Sequence, residues 1–213
     1  LVLRKSVWEQ GSSAIKKALK DYENEYKAMF ERQAAKAVQP KTILPPDPKT
    51  IWMEDVGLLG LGSNFKAASI AGDLVVQNAR VRSVGEDAGG FYPISEKDLF
   101  DCEYWSLEQA KLGKGKAPVF QGKVVMVTGG SGTIGFETAK TFASLGAQCF
   151  LIDVNQENLD AAIEKLGKGH FGKALDVTDP KAAAEAIKSV IEAYGGLDIL
   201  VSNAGSALSG SMI

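Results

Sequence analysis

This sequence has one histidine, two cysteines and no long apolar run, and each scarcity excludes a class of function. A lone His170 leaves no His pair for zinc and no second histidine for a Ser-His-Asp triad. No metal site is assigned, and His170, just before an expected strand, is read as structural. Cys102 and Cys149 have no CxxC spacing and no neighbouring thiol, so both are expected to be buried and free, as in a reducing cytoplasm. No stretch approaches the ~20 apolar residues of a bilayer-spanning helix, and Leu1–Ser6 is too short for the apolar core of a signal peptide. A net charge of -2, from 24 basic and 26 acidic residues, lacks the footprint of a nucleic-acid or membrane-surface binder. Neither nucleic acid nor membrane is expected as a partner.

At 213 residues the chain is long enough for one or two domains. Its texture changes near KLGKGKAP at 111–118, a small, basic, proline-containing stretch that reads as a connector. The expected division is a first segment over 1–112, a linker over 113–119 and a second domain over 120–213. In the first, Ile15, Leu19, Tyr22, Tyr26 and Met29 recur at spacings of four and three, which predicts an amphipathic helix over about 13–36. Prolines at 40, 45, 46 and 48 stop it. Residues 51–62 read as one strand running into a glycine turn, with a helix starting at Ser63 or Asn64. Ser95 and Asp98 form a capping-box-like start ahead of Leu99, Tyr104, Trp105 and Leu107. The carboxylates here are scattered along helices and form no catalytic constellation.

The second half alternates. Strands are expected over 123–128, 148–153, 173–177 and 197–201. Between them lie helices over 134–145, around Leu159, Ile163 and Leu166 to a stop at Gly167, and from the cap Thr178-Asp179-Pro180 through Ile187, Val190, Ile191 and Tyr194. A βαβαβαβ order implies right-handed crossovers and a parallel sheet covered on both faces. The fold class is α/β: part of a Rossmann-type doubly wound parallel sheet, preceded by an α/β or mainly helical segment.

Four glycines fall between the first strand and its helix, in VTGGSGTIG at 127–135. Gly130, Gly132 and Gly135 have the GxGxxG spacing, where glycine permits a tight turn and close approach of backbone to a pyrophosphate at a helix N-terminus. Alone that spacing is weak. Asp153, ending the second strand, adds a carboxylate where adenosine ribose hydroxyls would lie. Turn and acid together predict dinucleotide binding.

The segments TGGSGTIG at 128–135, Asp153, DVT at 176–178 and SNAG at 202–205 resemble the successive cofactor motifs of the short-chain dehydrogenases/reductases. The resemblance implies that Thr128, Gly129, Ser131, Gly132, Ile134 and Gly135 surround the phosphates and Asp153 the ribose. It places Asp176 and Val177 at the adenine, and Asn203, Ala204 and Gly205 near the inner ribose. Thr133 stands where the TGxxxGxG branch has its middle glycine, and Ser202 replaces the first Asn of NNAG. The family's Ser and YxxxK pair have no counterpart here, since none of Tyr22, Tyr26, Tyr92, Tyr104 or Tyr194 has Lys at the fourth following position. No catalytic residue is assigned, and this chain by itself is expected to be inactive.

LLGLG at 58–62, DLFD at 98–101 and EYWSLEQAKLG at 103–113 resemble the joining segment of bifunctional class II aldolase (rhamnulose-phosphate aldolase)/short-chain dehydrogenase proteins. That implies a chain cut from a larger enzyme at both ends. The expected function is part of an NAD-dependent oxidoreductase acting on a small alcohol or aldehyde, sugar-derived such as lactaldehyde. It would work as a cytoplasmic homo-oligomer with small-molecule cofactor and substrate. Two alternatives stand: a dinucleotide-binding or scaffolding module without catalysis, and a piece of a class II aldolase-type lyase.

Overall fold

The computed structural model describes residues 1–106 and 117–205. Two compact units are present, 1–62 with 67–106, and 63–66 with 117–205. The 113–119 linker and Leu107 fall largely or wholly outside the described residues. None of the described helices is long and apolar enough to cross a membrane.

The first unit is α/β. It holds β1 (Val2–Leu3), α1 (Lys5–Trp8), α2 (Ser12–Ala34), β2 (Thr50–Met53), β3 (Gly57–Gly60), all but the first two residues of α3 (Phe65–Asp87), and α4 (Glu96–Glu103). β1 pairs parallel with β2, and β2 pairs antiparallel with β3 from Thr50↔Gly60 to Met53↔Gly57. The stretch expected as one strand is therefore a hairpin. Its turn passes through Asp55 at φ 62, a left-handed conformation that Asp tolerates better than most residues. α2 and α4 follow their sequence signals closely, and the Ser95 hydroxyl accepts from the Asp98 amide at 3.1 Å. On α4 and its C-cap Phe100 and Tyr104 are buried, while Leu99 and the following Trp105 are exposed. Those two rings stack at 4.7 Å and pack with Met29 and Phe30 of α2. The Tyr104 hydroxyl sits 2.6 Å from that of Tyr26 and accepts from the Leu44 amide at 3.3 Å, so its polar end is satisfied inside the core. Cys102 is exposed, against expectation. It lies two positions from Phe100, most of the way round the helix from the buried stripe.

The second unit holds β4 (Val124–Thr128), α5 (Thr133–Ser144), β5 (Gln148–Asp153), α6 (Gln156–Leu166), β6 (Phe171–Ala174), α7 (Pro180–Tyr194) and β7 (Ile199–Val201). The sheet is wholly parallel in the order β6-β5-β4-β7. Alternate residues of its central strands serve opposite faces. Val125, Val127, Cys149 and Leu151 pack with Ala139 and Leu159 of α5 and α6, and Val124, Met126, Phe150 and Ile152 with Ala186 and Val190 of α7. Burial on both faces explains why these strands read as continuous apolar runs. Asn155 and Asp179 cap α6 and α7 through their side chains, and Gly167 and Gly195 end those helices at positive φ.

β6 is Phe171–Ala174, two to three residues before the stretch expected. Its ladder with β5 runs from Phe150↔Phe171 to Asp153↔Ala174 and stops where β5 stops, leaving Leu175–Val177 as a loop at the carboxyl edge. His170 and Cys149 have structural roles. The Cys149 amide donates to His170 Nδ1 at 3.1 Å, and burial lowers the imidazole's proton affinity, so the ring is an acceptor. Burial pushes the Cys149 thiol up to about 12, which makes it unreactive. The Tyr194 hydroxyl donates to the Cys149 and Gly169 carbonyls at 3.1 and 2.8 Å, and burial raises its pKa.

Candidate functional site

The chain runs from β4 outward to β6 and then crosses back to β7 on the other side of β4. The loops leaving the carboxyl ends of β4 and β7 therefore diverge at the switch point of the sheet, where a crevice forms in open α/β folds. Here it is a cleft of about 600 Å³.

Two side chains hold its floor. Thr128, buried at the end of β4, accepts through Oγ1 from the amides of Asn203 and Ala204, each at 3.0 Å. The Asn203 side chain returns two bonds, donating from Nδ2 to the Thr128 carbonyl at 3.0 Å and the Gly129 carbonyl at 3.2 Å. These four bonds tie the loop after β4 to the loop after β7. Gly129 takes φ 62, and a Cβ there would come within 3.0 Å of Asn203 Nδ2.

Gly132 differs from its neighbours. A Cβ on Gly132 would meet no protein atom closer than 3.4 Å, an ordinary contact, and its φ of -71 suits any residue. The fold itself does not require glycine here. Gly132 is the N-cap of α5, which has no side-chain cap, so the first-turn amides and the positive end of the helix dipole face the cleft. This bare, uncapped helix end fits an anionic group that must come close to backbone.

Opposite stands Asp153 at the end of β5. Its Oδ2 accepts from the Ser131 amide at 3.0 Å, and its Oδ1 from the Val154 and Asn155 amides at 2.8 and 3.3 Å. Burial pushes this carboxyl up, but hydrogen bonds from the Ser131 hydroxyl and amide and from the Asn155 and Val154 amides outweigh it and hold the pKa below its ordinary value. Asp176 Oδ1 accepts from the Thr178 amide and hydroxyl at 2.9 and 2.7 Å, which lowers its pKa and shapes the loop after β6. The acids are thus charged and oriented.

Of the twelve residues expected here, Gly129, Gly132, Ile134, Gly135, Asp153, Asp176, Val177, Asn203, Ala204 and Gly205 line the cleft. Thr128 and Ser131 do not. Thr128 latches the two loops and Ser131 binds Asp153, so both act one step behind the lining. Ile152, Val154 and Leu175, and Thr133 and Thr178, which the sequence motifs contain without a cofactor role, complete the wall. Their only signal is adjacency to the motif positions at the carboxyl ends of the strands. Among the described residues no group of three or more His, Cys, Asp or Glu is placed to hold a metal.

A parallel sheet with its cleft at the switch point defines the second unit as a Rossmann-like α/β module. Residues 2–112 match the family described as aldolase class II, second domain, and residues 123–212 match short chain dehydrogenase. The chain belongs to the class II aldolase second-domain family, and its residues 123–212 are similar to the short chain dehydrogenases. "Uncharacterized oxidoreductase YuxG" of Bacillus subtilis is 30% identical over 201 residues, covering 92% of this chain and 29% of that protein. "Oxidoreductase UcpA" of Escherichia coli is 43% identical over 94 residues, 43% of this chain and 36% of its own length. The solved L-sorbose reductase of Gluconobacter frateurii, complexed with NADPH and L-sorbose, is 32% identical over 46% of this chain and 38% of that one, with a TM-score of 0.43. The chain thus spans well under half the length of these relatives.

Proposed function

We propose that the second unit is the cofactor-binding part of an NAD-dependent oxidoreductase acting on a small alcohol or aldehyde, sugar-derived such as lactaldehyde. The observation that carries this reading is the uncapped α5 N-terminus at a Gly132 the fold does not need, faced by the charged Asp153. Gly132 to Ile134 would take the pyrophosphate, Asp153 the adenosine ribose, Asp176 and Val177 the adenine, and Asn203 to Gly205 the inner ribose. A bound nicotinamide supplies the hydride-accepting or hydride-donating carbon. The chain's own residues bind and orient, and no proton-transferring group is assigned to them. A cytoplasmic homo-oligomer belongs to the same reading, and the two free cysteines support its reducing compartment alone.

NAD is expected to bind better than NADP. A 2′-phosphate would meet the Asp153 carboxylate, and two unit charges at ~4 Å and an effective dielectric of ~20 repel by about 4 kcal/mol. Discounted about threefold for solvent, this leaves roughly tenfold in affinity. Val154, Asn155 and Gln156 offer no cation to relieve it. Calorimetric titration with both cofactors is the test. Equal affinities, or a preference for NADP, would refute the specificity, and Asp153→Ala should narrow the gap.

Gly132→Ala separates ligand from fold. The methyl group has room in the protein, so thermal stability should change by less than about 0.5 kcal/mol. It would intrude on the phosphates, at a cost of about 1–3 kcal/mol or roughly tenfold or more in cofactor affinity. Unchanged binding by the variant would mean that the α5 N-terminus is not the phosphate site.

The family match over residues 2–112 supports a second reading for the first unit, as part of a class II aldolase-type lyase. Retro-aldol cleavage assayed alongside oxidoreduction in the full reading frame tests it.

A further inference from the structure

Helix α3 carries two apolar faces and uses one. Ala71 and Val75 are buried in the first unit. Another row, Ile70, Leu74, Gln77, Val81 and Val84, stands outward, with Leu74 63% and Val84 66% exposed. The spacings are four, three, four and three, the alternation of a coiled-coil seam with Leu74 and Val81 at a and Ile70, Gln77 and Val84 at d. Gln77 is the only polar member, and a single polar residue in a seam sets register at some cost in stability.

The flanking charges choose the occupant. The g positions are Lys66, Asp73, Arg80 and Asp87, alternating in sign, all exposed, and none in an ion pair among the described residues. The e positions, Ala71, Asn78 and Gly85, carry no charge. A parallel pair, which sets g against e, would gain nothing from this pattern. An antiparallel pair sets g against g. With Ile70 opposite Val81 and Leu74 opposite Gln77, Asp73 meets Arg80 of the second copy and Lys66 meets its Asp87, each twice by symmetry. Sliding by one heptad would instead oppose Asp73 to Asp87 and Arg80 to Arg80. This register alone brings all four flanking charges of each helix into attractive pairs, because a slide of two heptads keeps only Arg80 with Asp87 or only Lys66 with Asp73.

We propose that the outer face of α3 is a self-association surface on which a second copy of this chain docks antiparallel, about a two-fold axis beside the Leu74–Gln77 turn. The surface accounts for the homo-oligomer of the preceding section, rests on that part of the reading, and is independent of the cofactor cleft.

Sedimentation equilibrium on the purified chain and its charge variants tests this. The unaltered chain should dimerise. Asp73→Arg turns two attractive pairs repulsive, as does Arg80→Asp, and each should raise the dimer dissociation constant roughly tenfold or more. The double variant carrying both changes should recover the dimer. Mixing the two single variants should yield a heterodimer tighter than either homodimer, because each then meets its opposite. Both residues are exposed, so far-UV circular dichroism should be unchanged. A dimer indifferent to these reversals would overturn the surface while leaving the oligomer, and a chain monomeric throughout would overturn both.

Discussion

Gly135→Ala is expected to destabilise the second unit by about 2 kcal/mol and to abolish cofactor binding with it. Gly135 lies in the first turn of α5, where a Cβ would sit 2.1 Å from the Gly129 carbonyl oxygen and 2.8 Å from Asn203 Nδ2. Neither neighbour can retreat cheaply. The carbonyl is backbone in the tightest part of the loop, and the Asn203 amide is held by two hydrogen bonds of its own. Overpacking of this kind costs about 1–3 kcal/mol, partly offset by Ala's better helix propensity of at most ~1 kcal/mol. For a chain of this size each kcal/mol moves Tm by roughly 2–4 °C, so a fall of about 4–8 °C is expected. The helix must also move off the loop, which spreads the amides meant for the phosphates. Gly132→Ala, three residues earlier, should leave Tm alone, and the contrast is the informative measurement. A Gly135→Ala variant as stable as the parent would mean that α5 stands further from the loop than the structure shows.

Leu151→Ala should be the most damaging single truncation in the second unit. Leu151 is fully buried at the middle of β5, in the cluster with Val125, Val127, Ala139 and Leu159. It also lies against the glycine loop, since a Cβ on Gly130 would come within 2.9 Å of its own Cβ. Strands on both sides prevent collapse into the void, so the loss should approach the upper part of the usual range of about 2–5 kcal/mol. That corresponds to a Tm decrease of roughly 5–15 °C. Leu200→Ala, at the exposed position of β7, should cost under about 1 kcal/mol by the same measurement. Similar costs at the two positions would contradict the central placement of β5.

Much of the second unit was legible because its signals are local and agree with one another. β5 ends at Asp153 in both readings, since the apolar run and the acid that closes it are adjacent in sequence. α6 and α7 were bounded by Gly167 and Asp179-Pro180, whose effects act over one turn. β6 was misplaced because its register is set by hydrogen bonds to β5, which no local pattern records. The hairpin of β2 and β3 was read as one strand because Ile51–Gly62 stays mostly apolar across its turn. An unpaired cysteine is most often buried, but helical phase turns Cys102 outward, a matter that pairing arithmetic does not address.

By itself the sequence determined the α/β class, the strand–helix alternation, the glycine turn and the acid at the end of the second strand. Each follows from backbone preference or side-chain periodicity within about a dozen residues. Tertiary structure alone decided what those residues do. Thr128 and Asn203, 75 positions apart, become a latch because parallel pairing of β4 with β7 brings their loops together. Gly135 is required by a carbonyl six residues back, Gly132 by nothing in the protein, and GxGxxG spacing cannot tell these apart. The seam on α3 likewise becomes visible only once the other face of the helix is seen to be filled, because periodicity records that a helix has apolar stripes and not which of them its own chain covers.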